Sequence, residues 1–155
     1  MIFSEVPLSN LLSLLKTDFF KNENDGPYFH FTPSDLLAWA RKSDFTIQLD
    51  EIKNWEAFEY GLFEFNEVDF KKFIFNGHSY TTDTEVYFIS DNTLMEQLCI
   101  KFPLKDFDTF VIYHQSRFRI SIVQPSDIIV VLMEYKRIVI IYHEGQIITI
   151  EKRGI

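Results

Sequence analysis

The sequence predicts an α+β fold: a mostly antiparallel sheet, with helices concentrated in the N-terminal half and a β-rich C-terminal third. Three observations predict it. Leucines at three- and four-residue steps indicate an amphipathic helix over 8–20. A second helix is expected to begin at Thr32-Pro33, because proline is tolerated in the first helical turn. Beyond residue 100 the apolar segments become short and rich in β-branched residues, which is typical of strands.

The C-terminal third is expected to form most of the sheet. Strands are predicted over 107–114, 118–123, 128–134, 138–143 and 146–151. The run 128–133 is apolar on both faces, as in a central strand. Glu144-Gly145 predicts a hairpin between the last two strands.

The middle of the chain gives a mixed signal. Phe45, Ile47 and Leu49 alternate as in a strand, and 85–89 reads as another strand. Between residues 52 and 75 the period is ambiguous, and helix and strand both remain open there. Asp91 is expected to start a short helix that carries Leu94, Met95, Leu98 and Cys99.

The chain has 155 residues and one cysteine, Cys99. This length is typical of one domain, so we expect a single domain over 1–155 that folds without a disulfide, metal or cofactor. A lone cysteine fits a reducing compartment, and Cys99 is expected to be buried and inert. Since neither a signal-peptide pattern nor a membrane-length apolar run is present, we expect a cytoplasmic protein that does not contact a membrane.

Negative charge is concentrated in the first hundred residues. The net charge is −8; residues 1–100 carry 17 acidic and 7 basic side chains, whereas residues 101–155 carry 6 acidic and 8 basic ones. In the segment 44–69, the acidic segment, Lys53 is the only basic residue, and aromatic side chains are interleaved with the acids. The residues predicted to bind a partner are Asp44, Asp50, Glu51, Trp55, Glu56, Glu59, Tyr60, Glu64, Glu67 and Asp69.

Two interpretations of the acidic segment remain open. It is either a solvated face that keeps the protein soluble or a docking surface for a basic protein partner. The interleaved aromatics favour docking, because interface cores are enriched in Tyr, Trp and Phe. Direct nucleic-acid binding is not expected, since such a surface would repel phosphates.

The histidines do not form a recognisable catalytic or metal motif. None of them has the close spacing of a helical zinc pair; they are His30, His78, His114 and His143. His114 and His143 each follow a tyrosine near a predicted strand end. They would form an acid–base pair only if the fold brought the two rings together.

Other charged residues suggest chemistry only under conditions that the sequence does not fix. The carboxylates of 44–69 would suit glycoside hydrolysis or magnesium binding if they converged in a cleft. Arg117 and Arg119, two residues apart, are expected on one face of a strand, where they either pair with acids of the same chain or bind an anion.

In overall character the chain resembles bacterial toxin-immunity proteins, including those that neutralise contact-dependent growth-inhibition toxins. It is small, acidic, poor in cysteine and without an enzymatic motif. The segment Asp69-Phe-Lys-Lys-Phe-Ile-Phe-Asn-Gly77 is similar to the helix-then-Asn-Gly stretch of a widespread immunity superfamily related to a fungal cell-wall regulator. The resemblance implies a tight complex with a toxin domain, often a basic nuclease, in which the acidic segment would mimic the nucleic-acid backbone or block its access. No residue role is carried over from it.

Three functions are therefore expected, in this order. The first is a non-enzymatic immunity protein that binds a basic toxin domain. The second is a secretion chaperone or adaptor, because such proteins are also small, acidic and mixed in structure, and are usually dimers. The third is a small hydrolase-type enzyme that uses His114 and His143. Monomer and dimer both remain open.

Overall fold

The computed structural model consists of one sheet with helices packed on both of its faces. It describes residues 4–15, 33–42, 45–51, 67–75, 80–122 and 127–152. The strands are β1 (Ser4–Pro7), β2 (Phe45–Glu51), β3 (Glu85–Ile89), β4 (Leu98–Pro103), β5 (Ile128–Leu132), β6 (Arg137–Ile141) and β7 (Gln146–Lys152). The helices are α1 (Leu8–Leu14), α2 (Pro33–Lys42), α3 (Glu67–Phe75), α4 (Asp91–Met95) and α5 (Phe107–Phe118), with short 3-10 turns at Leu104–Asp106 and Met133–Tyr135.

The sheet has seven strands in the order β1-β4-β3-β5-β6-β7-β2, and every neighbouring pair is antiparallel. A tight turn joins β6 to β7: Gly145 adopts φ 88°, a left-handed conformation that favours glycine, and donates its N–H to the Tyr142 carbonyl. β2 comes from much earlier in the chain and pairs with β7 along its whole length, from Phe45 opposite Lys152 to Glu51 opposite Gln146. In the described sheet, β1 and β2 are therefore the two edges.

Each face of the sheet is covered by its own pair of helices. On the α1/α2 face the buried apolar residues include Leu8, Leu11, Ala40, Phe45, Cys99, Ile129, Val131, Ile140 and Ile148. On the α3/α5 face they include Phe70, Ile74, Phe88, Phe102, Phe107, Phe110, Ile128, Val130 and Leu132. Successive residues of β5 thus alternate between two cores, which explains why the whole strand is apolar.

The α+β class and the antiparallel sheet are confirmed. So are the strands at β2, β3 and β5, the helix that begins at Pro33, and the hairpin of β6 and β7. Helix α1 covers the first part of the helix expected over 8–20. The remainder of that helix, the Thr32 cap and the residues from 52 to 66 lie outside the described residues. None of the described helices is long and apolar enough to cross a membrane.

The strand predicted over 107–114 is wrong, and so is the strand predicted over 118–123 for its described residues, 118–122. Residues 107–118 form helix α5, which places a helix of 12 residues in the second half of the chain. β-branched and aromatic residues suggested a strand, but Phe107, Phe110 and His114 recur at helical spacing and are the buried residues of this helix. The burial of one helical stripe against the sheet outweighed residue propensity, which is weak and depends on context.

The short helix near residue 91 is also corrected in detail. Its N-cap is Ser90, not Asp91: the Ser90 hydroxyl accepts from the Thr93 N–H, and the Thr93 hydroxyl accepts from the Ser90 N–H. The helix ends at Met95, so Leu98 and Cys99 lie on β4 and not on a helix. Cys99 is fully buried, as expected, and burial raises the pKa of its thiol to about 12, so the reactive thiolate is strongly disfavoured.

Arg117 and Arg119 do not lie on a strand. Arg117 is in the last turn of α5, and Arg119 ends that helix in a left-handed conformation with φ 62°. The expected pairing with acids of the same chain holds for Arg117, whose guanidinium lies 2.7 Å from the Glu5 carboxylate and 2.6 Å from that of Glu96. Tyr113 donates a third hydrogen bond, to Glu5, and these contacts attach the edge strand β1 to α5.

Candidate functional site

An open groove of about 590 Å³ lies at the β2 edge, where α2, β2, β7 and the β6–β7 turn meet. We call it the β2 groove. Its lining residues are Leu37, Arg41, Leu49, Asp50, Glu51, Tyr142, Gln146, Ile147 and Ile148. They combine a mainly apolar floor with charged side chains, which is a common composition for a site that binds another protein.

The groove exists because the apolar side of β2 extends beyond the part of the strand that is covered by other residues. On the α1/α2 face, Phe45 is 7% exposed and Ile47 is half-buried, but Leu49 is 72% exposed. All three side chains point to the same face, since strand residues alternate. Cover on this face therefore ends before Leu49, which remains as an exposed apolar side chain at the sheet edge.

Two exposed carboxylates follow this leucine on β2. Asp50 and Glu51 follow Leu49 directly, and both are exposed. The Asp50 carboxylate accepts a hydrogen bond of 2.8 Å from the Glu51 N–H, which orders the end of β2. Across the groove, Arg41 of α2 is a positive charge. The β2 side of the groove is therefore acidic, and a ligand with positive charge would meet it favourably.

The β6–β7 turn forms the wall beside Arg41. Tyr142 lines the groove; partial burial and the nearby Asp127 carboxylate raise the pKa of its phenol, whereas Arg41 partly opposes this rise. Asp127 accepts from the His143 N–H at 2.9 Å and contacts its ring Nδ1 at 3.1 Å. Burial, and then the charge of Asp127, raise the pKa of Asp91 as well. This wall is thus fixed by a polar network outside the groove.

The openness of the groove and the placement of its carboxylates limit what it can hold. Small-molecule sites usually enclose most of their ligand, whereas the β2 groove is open along the sheet edge. Asp50 and Glu51 are adjacent on a strand, so their side chains leave on opposite faces and do not converge on one bond. Among the described residues, no group of three or more His, Cys, Asp or Glu side chains is arranged to hold a metal ion.

Of the ten residues predicted to bind a partner, Asp50 and Glu51 are the ones found in the groove. Glu67 and Asp69 lie on α3, on the opposite face of the sheet, and the structure describes their backbone only. The others lie outside the described residues: Asp44, Trp55, Glu56, Glu59, Tyr60 and Glu64.

The structure does not bring His114 and His143 into a shared cleft. His114 has no exposed surface; its ring lies among those of Phe88, Phe110 and Phe118, with Nδ1 3.0 Å from the Ile120 carbonyl oxygen. His143 is exposed in the β6–β7 turn. The condition for an acid–base pair, that the fold brings the two rings together in one cleft, is therefore not met.

The buried His114 predicts a loss of stability in mild acid. Burial lowers the pKa of His114 in the folded protein, so between the ordinary value of about 6.5 and the lowered one only the unfolded chain binds a proton. The contribution of neutral His114 to the free energy of unfolding is therefore fully present above about pH 6.5. As the pH decreases below that value, this contribution decreases by up to about 1.4 kcal/mol per pH unit. Urea unfolding between pH 7.5 and 5 measures this slope.

The matched variants for this measurement are His114→Gln and His143→Gln. Glutamine at position 114 can still donate to Ile120 but does not titrate, so we expect a shallower slope than in the wild type. The exposed His143→Gln variant should keep the loss that His114 causes. Equal slopes for wild type and His114→Gln would contradict the prediction.

The sequence did not reveal most of the groove. Leu49-Asp50-Glu51 carried a signal, because an apolar residue of a strand is followed at once by two acids. Leu37, Arg41 and Tyr142 carried none, since their positions in the groove depend on α2 and the β6–β7 turn meeting β2 and β7 in space.

Comparisons with known proteins leave the function to be inferred from the structure. No family model matches the chain, and neither a curated protein nor a solved structure is significantly similar to it.

Proposed function

We propose that this chain is a non-enzymatic protein-binding module, an immunity protein that binds and neutralises a basic toxin domain in the cytoplasm. The observation that carries the proposal is the β2 groove, where the exposed Leu49 lies beside the carboxylates of Asp50 and Glu51. The partner in this proposal is a protein, and neither nucleic acid nor membrane is involved.

Charge supports a basic partner. The chain has net charge −8. Asp50 and Glu51 are the acids of the acidic segment whose side chains the structure describes, and both are exposed beside the groove. Complementary charge accelerates encounter and rejects wrong partners, while the exposed apolar surface supplies burial once the complex forms. A nuclease toxin fits this description, because its own substrate site is positively charged.

Charge reversal at the groove tests the proposal. We expect Asp50→Lys with Glu51→Lys to slow association with the partner about tenfold at low salt and to reduce its salt dependence. The partner would first be identified by affinity purification from the native organism and mass spectrometry. Association of the purified proteins would then be measured by biolayer interferometry at several salt concentrations.

Two further variants make this test specific. Asp83→Lys with Asp108→Lys changes the net charge equally at exposed positions elsewhere and should slow association much less. Reversal of Glu56, Glu59 and Glu64 tests the remainder of the acidic segment. If the groove variant associates as fast as the wild type, the β2 groove is not the docking site, and if the triple variant does so too, neither is the remainder of the acidic segment.

A further inference from the structure

The two edges of the described sheet differ in how they are protected. β1 is four residues long, ends at Pro7, and is held by the contacts of Glu5 with Arg117 and Tyr113. β2 is seven residues long, pairs with β7 at every position and contains no proline, lysine or arginine. Proteins commonly protect edges with short strands, proline and charged residues, above all lysine; of these features β2 has only the carboxylates of Asp50 and Glu51, which would not repel a basic strand.

The exposure of β2 agrees with an edge that can accept another strand. From Gln48 to Glu51 all four residues are exposed, including the apolar Leu49. The β2 groove is lined by consecutive residues of β2 and of β7, whose side chains alternate between faces. Among the described strands β2 pairs with β7 alone, so alternate main-chain N–H and C=O groups of β2 point away from β7, where a partner strand can bind them.

We propose that the basic partner adds an extended strand to β2, antiparallel to it, with lysine or arginine opposite Asp50 and Glu51. This inference deepens the proposed function and rests on it. Main-chain hydrogen bonds would give affinity, and side chains opposite β2 would give specificity. Antiparallel pairing is expected because all pairs of this sheet are antiparallel and such pairs are slightly more stable.

The alternation of β2 determines the pattern of the added strand. Opposite-charge pairs directly across two strands are favourable, so basic residues belong opposite Glu51 and Asp50. Apolar residues belong opposite Leu49, Ile47 and Phe45, which share one face, and polar residues opposite the positions between them. Read antiparallel to β2, a matching peptide is Lys-Lys-Val-Thr-Val-Thr-Val.

Backbone methylation of this peptide distinguishes strand addition from attraction between charges. In an added strand, alternate N–H groups point toward β2 and the others point to solvent. Methylating the first set should weaken binding about tenfold or more, whereas methylating the second set should have little effect. Fluorescence anisotropy of the labelled peptide with the full chain would measure both. A Glu-Glu-Val-Thr-Val-Thr-Val peptide is the charge control.

Each result has a distinct meaning. Equal effects of the two methylation sets, or no binding of the unmodified peptide, would overturn strand addition and leave the acidic docking surface standing. Unchanged peptide binding by the Asp50→Lys, Glu51→Lys variant would instead contradict the proposed function. If light scattering shows a dimer that Leu49→Asp dissociates, the edge belongs to a second copy of the chain and the proposal fails.

Discussion

Replacing Phe110 by alanine is expected to lower the free energy of unfolding by about 3–5 kcal/mol. Phe110 has no exposed surface and connects α5 to the sheet. Its ring stacks on that of Phe102 at 4.2 Å and lies 4.9 Å from that of Phe88. Truncation would remove these contacts and leave a cavity, because rings fixed on β3 and β4 cannot collapse into the space.

Urea unfolding followed by circular dichroism measures the effect, and the same helix supplies a control. Ile112 lies two residues further along α5 and is 71% exposed, so Ile112→Ala should change stability by no more than about 0.5 kcal/mol. Similar losses in the two variants would mean that α5 does not pack on the sheet as described.

The second large effect is expected at the cross-strand pair of Arg137 and Glu151. The guanidinium of Arg137 lies 2.7 Å from the Glu151 carboxylate, with side chains 10% and 43% exposed. Glu151→Ala would leave a nearly buried positive charge without its carboxylate, which costs about 3–5 kcal/mol when both partners are buried. Because Glu151 is partly solvated, we expect a smaller loss than for a fully buried pair, about 2 kcal/mol.

The same substitution at an exposed pair is the control. Glu85 on β3 lies 3.2 Å from the Lys101 ammonium, and the Lys101 side chain is 38% exposed, so Glu85→Ala should leave no buried charge and cost at most about 1 kcal/mol. The double change Arg137→Met, Glu151→Leu should recover most of the stability, since it removes the buried charge as well. Failure of the double variant to recover would show that desolvated charge is not the cause.

Local signals predicted those elements that depend on local chemistry. The helix that begins at Pro33 followed from the position of proline, the β6–β7 hairpin from Glu144-Gly145, and β5 from an unbroken apolar run. Helix α5 was missed because its residues have strand propensity. The helical spacing of its apolar residues was the one local signal that pointed to a helix. The ambiguous residues near 67–75 form a helix that packs Phe70 and Ile74 on the sheet.

The strand order and the groove could not be read from the sequence in the same way. Phe45, Ile47 and Leu49 occupy alternate positions of β2, and that pattern predicts burial for all three. The exposure of Leu49 depends on how far the α1/α2 face is covered, which the pattern of β2 does not contain. The pairing of β2 with β7 is a long-range contact between segments that lack a complementary local motif. Asp50 and Glu51 were predicted because the charge of a residue follows from its type alone, whereas its packing depends on the fold.

The pairing of Phe45 with Lys152 has a consequence for synthesis of the protein. β2 leaves the ribosome early but acquires its neighbour only when β7, the last described strand, has been made. Contacts between such distant segments form slowly during folding, because a large loop must close first. The β2 edge would therefore be assembled only after nearly all of the described chain has been translated. A chain interrupted before Gln146 would lack the strand that β2 pairs with. The paired β2 edge can therefore form only in chains whose synthesis has continued through β7.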